Sequence, residues 1–156
     1  MAQVDWVLLA YRMPREPSTP RIAVWRKLRK LGAVQLVDGL VALPADAATV
    51  EAFDWLADEV IDAAGEAWTW RAQPGTKQQQ RALRARISDA VVEEYRGLMA
   101  EADRAAADPS GRTLSRLRRE LRAIEARDYF GVPERDPARA AVERLAAKLQ
   151  AQEPAR

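Results

Sequence analysis

Neither cysteine nor histidine occurs among the 156 residues of this chain. Without cysteine there is no disulfide bond, no thiolate ligand for a metal and no thiol nucleophile. Without histidine, the chain lacks the commonest general base and the commonest ligand of transition metals. We therefore expect no bound zinc, copper or iron and no other cofactor.

Long hydrophobic runs are also missing. No stretch of about 18 uncharged apolar residues occurs, so we expect no membrane-spanning helix. The apolar run at residues 6–11 has no basic lead and is too short for a secretory signal. Because 48% of the residues are nevertheless hydrophobic, the chain can bury a core. These features predict a soluble, cytoplasmic protein.

The net charge is only +2, but acidic and basic residues are unevenly distributed along the chain. Residues 12–30 carry seven basic side chains and one acidic, whereas residues 46–66 carry seven acidic side chains and no basic one. Such asymmetry indicates either an anion-binding face or ordinary solvated helix faces.

The N-terminal half alternates short apolar runs with amphipathic segments. Residues 6–11 form a predicted strand, and residues 21–31 a helix that Thr19 caps and Gly32 ends. Two apolar runs within residues 34–43 flank Asp38-Gly39, which favours a hairpin with a type I′ turn. A second helix at 46–64 and a strand at 67–71 follow. The order β-α-β-β-α-β is typical of ferredoxin-like domains.

The C-terminal half is helical throughout. Residues 77–107 form one predicted long helix, and Asp-Pro-Ser-Gly at 108–111 breaks it. A helix at about 112–128 follows, which predicts a long antiparallel helical hairpin, and a short last helix covers residues 138–150. The predicted fold class is α+β: a ferredoxin-like unit at 1–73 and a helical extension at 74–156 packed on it as one structural domain.

Several short motifs of the N-terminal half resemble a known family. They are Tyr11, residues 14–18 (Pro-Xaa-Glu-Pro-Ser), Arg21, Trp25-Arg26, Leu28, residues 31–33 (Leu-Gly-Ala), Asp38-Gly39 and Leu43-Pro44. Together these resemble the N-terminal domain of the chromate-resistance protein ChrB family. Residues 116–131 also resemble that family's helical continuation. More distantly, the strand-helix-hairpin portion is similar to the ferredoxin-like domain of PaaX-type repressors.

The ChrB resemblance implies a bacterial regulatory or accessory role in chromate resistance, such as transcription regulation, performed by binding and not as an enzyme. The partners it implies are DNA or a small oxyanion such as chromate. A competing class is a metal-dependent nucleic-acid-processing enzyme related to the CRISPR adaptation nucleases, which the PaaX-type domain resembles. Those nucleases place an aspartate at the end of their first strand, where this chain has Tyr11 and Arg12. A third class is a protein interaction module.

Two basic helices are the candidate sites for anion or nucleic-acid binding, because arginine and lysine form charge-assisted bonds with phosphate. Trp25 lies on the predicted apolar stripe of the first of them and is expected in the core, and Arg26 is expected to pair with the acidic second helix. The alternative is that both clusters are solvated helix faces. The candidate residues are Arg21, Arg26, Lys27, Arg29 and Lys30 in the first helix and Arg112, Arg116, Arg118, Arg119 and Arg122 in the fourth.

The acidic second helix is a weaker candidate. Its carboxylates lie at helical spacing and could hold Mg²⁺ or serve acid–base catalysis, but no interleaved ligand set accompanies them, so a solvated face is favoured and no metal is predicted. The set is Asp54, Asp58, Glu59 and Asp62.

The remaining tryptophans raise the question of what covers the sheet. Trp55 lies opposite its helix's apolar stripe, and Trp68 and Trp70 share one face of the last strand. A ferredoxin-like sheet has helices on one face only, so its other face needs a cover. The C-terminal helices are the favoured cover, and a second subunit, which makes a homodimer, is the alternative.

Overall fold

The computed structural model describes residues 4–153, which form two compact units that divide between Ile87 and Ser88. We call them the αβ unit and the helical unit. Helix α3 begins in the first and continues into the second. The elements are β1 (Trp6–Arg12), α1 (Ser18–Leu31), β2 (Val34–Val37), β3 (Leu40–Pro44), α2 (Ala47–Asp62), β4 (Glu66–Ala72), α3 (Lys77–Ala105), α4 (Gly111–Ala126) and α5 (Arg135–Gln152).

The sheet of the αβ unit has the strand order β2-β3-β1-β4, and all neighbouring strands are antiparallel. This is the ferredoxin-like arrangement, so the predicted α+β class is confirmed. Along β1, Val7 and Leu9 lie on one face of the sheet and Trp6 on the other, and all three are buried. Since successive side chains of a strand point to opposite faces, both faces of this central strand are covered.

Helix α1 differs from its prediction in its start and in its buried face. It begins at Ser18, and its N-cap position, Pro17, makes no side-chain capping bond, so Thr19 is not the cap. The buried residues are Val24 and Leu28, whereas Trp25 is 51% exposed. The prediction that Trp25 lies in the core is therefore wrong. The end of the helix is as predicted, because Gly32 adopts the left-handed conformation with φ of 73°.

The hairpin forms where it was predicted, but its turn is of another type. A type I′ turn needs positive φ at both central residues, and here Gly39 has φ of 75° while Asp38 does not. The register of the β2–β3 pairing also shifts between Gln35 and Val37, which is an irregularity of the ladder. A Cβ on Gly39 would lie 2.5 Å from the carbonyl oxygen of Tyr11, so glycine is required by space as well as by conformation.

Helix α2 has a complete capping box. The Asp46 side chain accepts from the Thr49 backbone N–H at 2.8 Å, and the Thr49 hydroxyl oxygen accepts from the Asp46 N–H at 2.9 Å. Phe53, Leu56 and Val60 form its buried face, whereas Ile61 is exposed. Trp55 lies off the buried face, in agreement with the sequence pattern, and is 68% exposed.

The first turns of α3 lie over the second face of the sheet. Leu83 is buried, and the Arg86 guanidinium donates to the backbone oxygen of Gln35 at 2.7 Å. A cavity of about 370 Å³ remains between this segment and the sheet, lined mainly by apolar side chains that include Trp6 and Leu8. Trp68 and Trp70 share this face, since they pair with Ala10 and Leu8, but both stay exposed. The cover is therefore partial.

The helical unit joins the rest of α3 to α4 and α5 around one apolar cluster. The ion pairs Glu101–Arg116 and Glu94–Arg127 link α3 to the α4 segment in opposite chain directions, which shows the antiparallel hairpin. Helix α5 is longer than predicted and starts at Arg135. Pro137 fits its first turn, where backbone N–H groups have no helical acceptor.

Two polar contacts are built into this unit. Fully buried Tyr95 donates its hydroxyl to the Asp128 carboxylate at 3.1 Å, and burial raises the pKa of Tyr95, with the nearby Asp128 charge adding to it. The half-buried Arg127 guanidinium donates to both carboxylate oxygens of Glu94, and this bonding raises the pKa of Arg127.

Within residues 4–153, no helix combines the length and the apolar character that crossing a lipid bilayer would require.

Candidate functional site

The basic residues of α1 are all exposed, because Val24 and Leu28 turn the opposite side of the helix to the core. The partner of the acidic helix is Lys27, whose ammonium lies 2.7 Å from a Glu59 carboxylate oxygen. Arg26 was expected in that role, but one residue rotates a helix by about 100°, and with Val24 facing inward Arg26 points away from α2.

Trp25 forms a surface contact rather than a core contact. The guanidinium carbon of Arg29, four residues on, lies 4.8 Å from the centroid of its ring, which is a cation–π distance. A groove of about 350 Å³ runs beside this pair and is lined by residues that include Tyr11, Arg21 and Ile22. Burial raises the pKa of the Tyr11 phenol. The predicted site residues Arg21 and Arg29 therefore border an aromatic surface.

Helix α4 exposes its arginines because its other side is strongly apolar. The Ser110 hydroxyl accepts from the Thr113 N–H at 3.2 Å and starts the helix after the predicted break. Leu114, Leu117 and Ile124 are buried, so one side of the helix faces the core of the helical unit. All five predicted arginines of this helix are exposed.

One of the five arginines is already neutralised. Arg116 donates to Glu101 of α3 at 2.7 Å and lies 3.5 Å from Glu120. The hydrogen bond to Glu101, reinforced by its charge, raises the pKa of Arg116. Arg116 thus holds two helices together, and its charge is the least available of the set.

The other four arginines lie on one side of the helix, and we call this set the arginine strip. At 100° per residue they fall within a sector of about 120°, and at about 1.5 Å per residue they extend over about 15 Å. No acidic residue between positions 112 and 122 falls in that sector, and no ion pair to these four is found within residues 4–153. The strip consists of Arg112, Arg118, Arg119 and Arg122.

The acidic residues of α2 do not converge. Asp54, Asp58 and Asp62 are exposed, and Glu59 is half-buried and held by Lys27. Within the described ranges of the chain, no group of three or more carboxylates is arranged to hold a metal ion.

Comparisons with known proteins place the chain beside one family. The model described as Protein ChrB, N-terminal, matches residues 21–110. Protein ChrB of Cupriavidus metallidurans is 30% identical over 135 residues, which cover 82% of this chain and 41% of the relative. This chain thus spans less than half the length of that relative. No solved structure matches.

Proposed function

The chain belongs to the ChrB family, and on this premise we propose that it is a regulatory protein of chromate resistance that binds DNA rather than an enzyme. The single observation that carries the proposal is the arginine strip on α4. Its four cations have no acidic partner within residues 4–153, whereas Arg116 on the same helix has two. Unpaired cations in a row are what a phosphate backbone requires.

The dimensions of the strip support a duplex backbone as its ligand. The phosphates of one DNA strand rise by about 3.4 Å each along the duplex axis, so about 15 Å of helix measured along that axis spans roughly four of them. Arginine also binds phosphate in a bidentate manner, which lysine cannot do. Arg26 and Lys30 of α1, both exposed, supply a second patch of the same sign.

The test is a salt titration of binding to a fluorescein-labelled duplex, followed by anisotropy. Each phosphate contact contributes about 0.9 to the slope of log affinity against log salt, so four contacts give a slope of about −3.6. We expect Arg119→Glu/Arg122→Glu to weaken binding and to reduce the slope by about 2.

The matched control is Arg81→Glu/Arg104→Glu. It makes the same charge change at two exposed arginines of α3. If both double variants bind equally weakly, only net charge matters and the strip is not the site. If the wild type shows no salt-dependent binding, DNA is not its ligand.

A small oxyanion is a second candidate ligand, and the groove beside Trp25 favours it. Arg21 and Tyr11 line the groove, and a guanidinium and a phenol are groups that can donate charge-assisted and neutral hydrogen bonds to an anion such as chromate. We expect calorimetric titration with chromate to show binding that Arg21→Gln abolishes and that sulfate does not match. Equal heats for both anions, or for both proteins, would remove this candidate.

A further inference from the structure

The two edges of the sheet differ in how well they are protected. The β2 edge has four residues, contains the irregularity between Gln35 and Val37, and has the Gln35 carbonyl bonded by Arg86. A short strand, a bulge and a covering side chain are the devices by which proteins prevent edge pairing.

The β4 edge has none of these devices. All seven of its residues pair in regular register with β1, and within residues 4–153 β1 is the only strand it pairs with. Trp68 and Trp70 are 67% and 57% exposed on this strand. A regular, open edge with two exposed tryptophans is a template for another strand, and tryptophan is enriched among the residues that dominate binding energy at interfaces.

We propose that β4 pairs antiparallel with β4 of a second copy of this chain, with the two-fold axis at Thr69. In this register all seven residues of one strand pair with the seven of the other, and Trp68 of one copy lies opposite Trp70 of the other. The two copies then continue one sheet across the axis, because a C2 interface presents the same surface twice. The proposal does not depend on DNA binding.

The strand is complementary to itself in this orientation. Glu66 is at one end and Arg71 near the other, so antiparallel pairing brings the acidic end of each strand beside the basic end of its partner. No two like charges lie directly opposite each other.

The apolar residues are also placed as an interface requires. Within each chain, Leu8 pairs with Trp70 and Ala10 pairs with Trp68. On this face of the continued sheet, the four indoles therefore lie in the middle, with the Leu8 and Ala10 side chains of one copy on one side and those of the other copy on the other side. The Arg12–Glu66 ion pairs, at 2.9 Å, then stand at the ends of this apolar band. An apolar centre with a charged rim is the usual anatomy of a protein–protein interface.

Sedimentation equilibrium of the full chain tests the interface. We expect a dimer whose dissociation constant rises at least about 30-fold in Trp68→Glu/Trp70→Glu, as for residues that dominate binding. The matched control is Trp55→Glu, an equally exposed tryptophan on α2, which should leave the constant unchanged. A chain that stays monomeric at every concentration, or equal effects of both changes, would overturn the proposal.

A crosslink tests the register without depending on how the charged variants fold. Because the chain has no cysteine, Thr69→Cys introduces a single thiol that meets its own copy at the two-fold axis, at Cα and Cβ distances that suit a disulfide. With oxygen and copper–phenanthroline as oxidant, it should give a covalent dimer. Val37→Cys, which is also exposed but lies on the other edge strand, should not. Equal crosslinking of the two variants would refute the β4 interface.

Discussion

The interactions that stabilise the αβ unit differ from those that stabilise the helical unit. Among residues 4–87 the buried side chains are apolar except for Thr49, whose hydroxyl donates to the Pro44 oxygen at 2.6 Å. In the helical unit the apolar cluster is accompanied by ion pairs between helices, of which Glu94–Arg127 is half-buried. The surfaces differ too, because the four exposed tryptophans all belong to the αβ unit and the arginine strip belongs to the helical unit.

This difference separates two kinds of partner. Exposed indoles gain most from contact with another protein surface, whereas unpaired guanidinium groups gain most from phosphate. The αβ unit is therefore the place where we propose self-association, and the helical unit the place where we propose DNA binding. Variants that damage one unit alone can show how far the two roles are separate.

The largest effect is expected from Phe53→Ala in the core of the αβ unit. Phe53 is fully buried, and truncation to alanine leaves a cavity, which lowers the free energy of unfolding by about 3–5 kcal/mol. Trp55→Ala on the exposed side of the same helix should change it by less than about 0.5 kcal/mol. Hydrogen exchange of Phe53→Ala should speed up in residues up to Ile87 more than beyond Ser88. A uniform rise along the chain would mean that the units unfold as one.

A smaller effect is expected from Arg127→Met in the helical unit. The change leaves the half-buried Glu94 carboxylate without its guanidinium, which should lower the free energy of unfolding by about 1–3 kcal/mol. Arg116→Met removes the more exposed pair with Glu101, which solvent screens, and should lower the free energy of unfolding by less than Arg127→Met does. Urea denaturation measures both values. If they are equal, the ion pairs of the helical unit differ in exposure but not in their contribution to stability.

The smallest effect, and one that depends on pH, is expected from Tyr95→Phe. The loss of its hydrogen bond to Asp128 should lower the free energy of unfolding by about 1 kcal/mol at neutral pH. The pKa of Tyr95 is raised in the fold, so the unfolded chain loses this proton first, near pH 10. The stability that the phenol contributes is therefore present below about pH 10 and is lost as the pH rises above it.

The measurement is the difference in unfolding free energy between wild type and Tyr95→Phe at about pH 8 and about pH 11. That difference should shrink by up to about 1.4 kcal/mol per pH unit above pH 10. Parallel curves for the two proteins would show that Tyr95 does not control this loss.

Local patterns were sufficient to predict most of the fold. The Asp38-Gly39 dipeptide located the hairpin, Gly32 ended α1, and the break at 108–111 separated α3 from α4. Each of these signals acts through the backbone of one or two residues, so no distant part of the chain is needed to interpret it. The ten candidate basic residues are exposed as expected, whereas their role in binding stays a prediction.

Other features depend on neighbours that the sequence does not identify. Helix α1 offers two apolar stripes, and its packing within the αβ unit buries Val24 and Leu28, whereas Ile22 and Trp25 stay exposed. Nothing local distinguishes Arg116 from Arg119, yet Glu101, fifteen residues away, neutralises only the former.

By itself, the sequence determined the order of strands and helices, most of their ends, and the absence of cysteine and histidine chemistry. These follow from composition and from short-range backbone preferences. Only the tertiary structure decided which side of α1 is buried, which arginines are left without a carboxylate, and which edge of the sheet stays open. These features depend on which surfaces meet, and the free energy of such contacts comes from interactions between residues far apart in the chain.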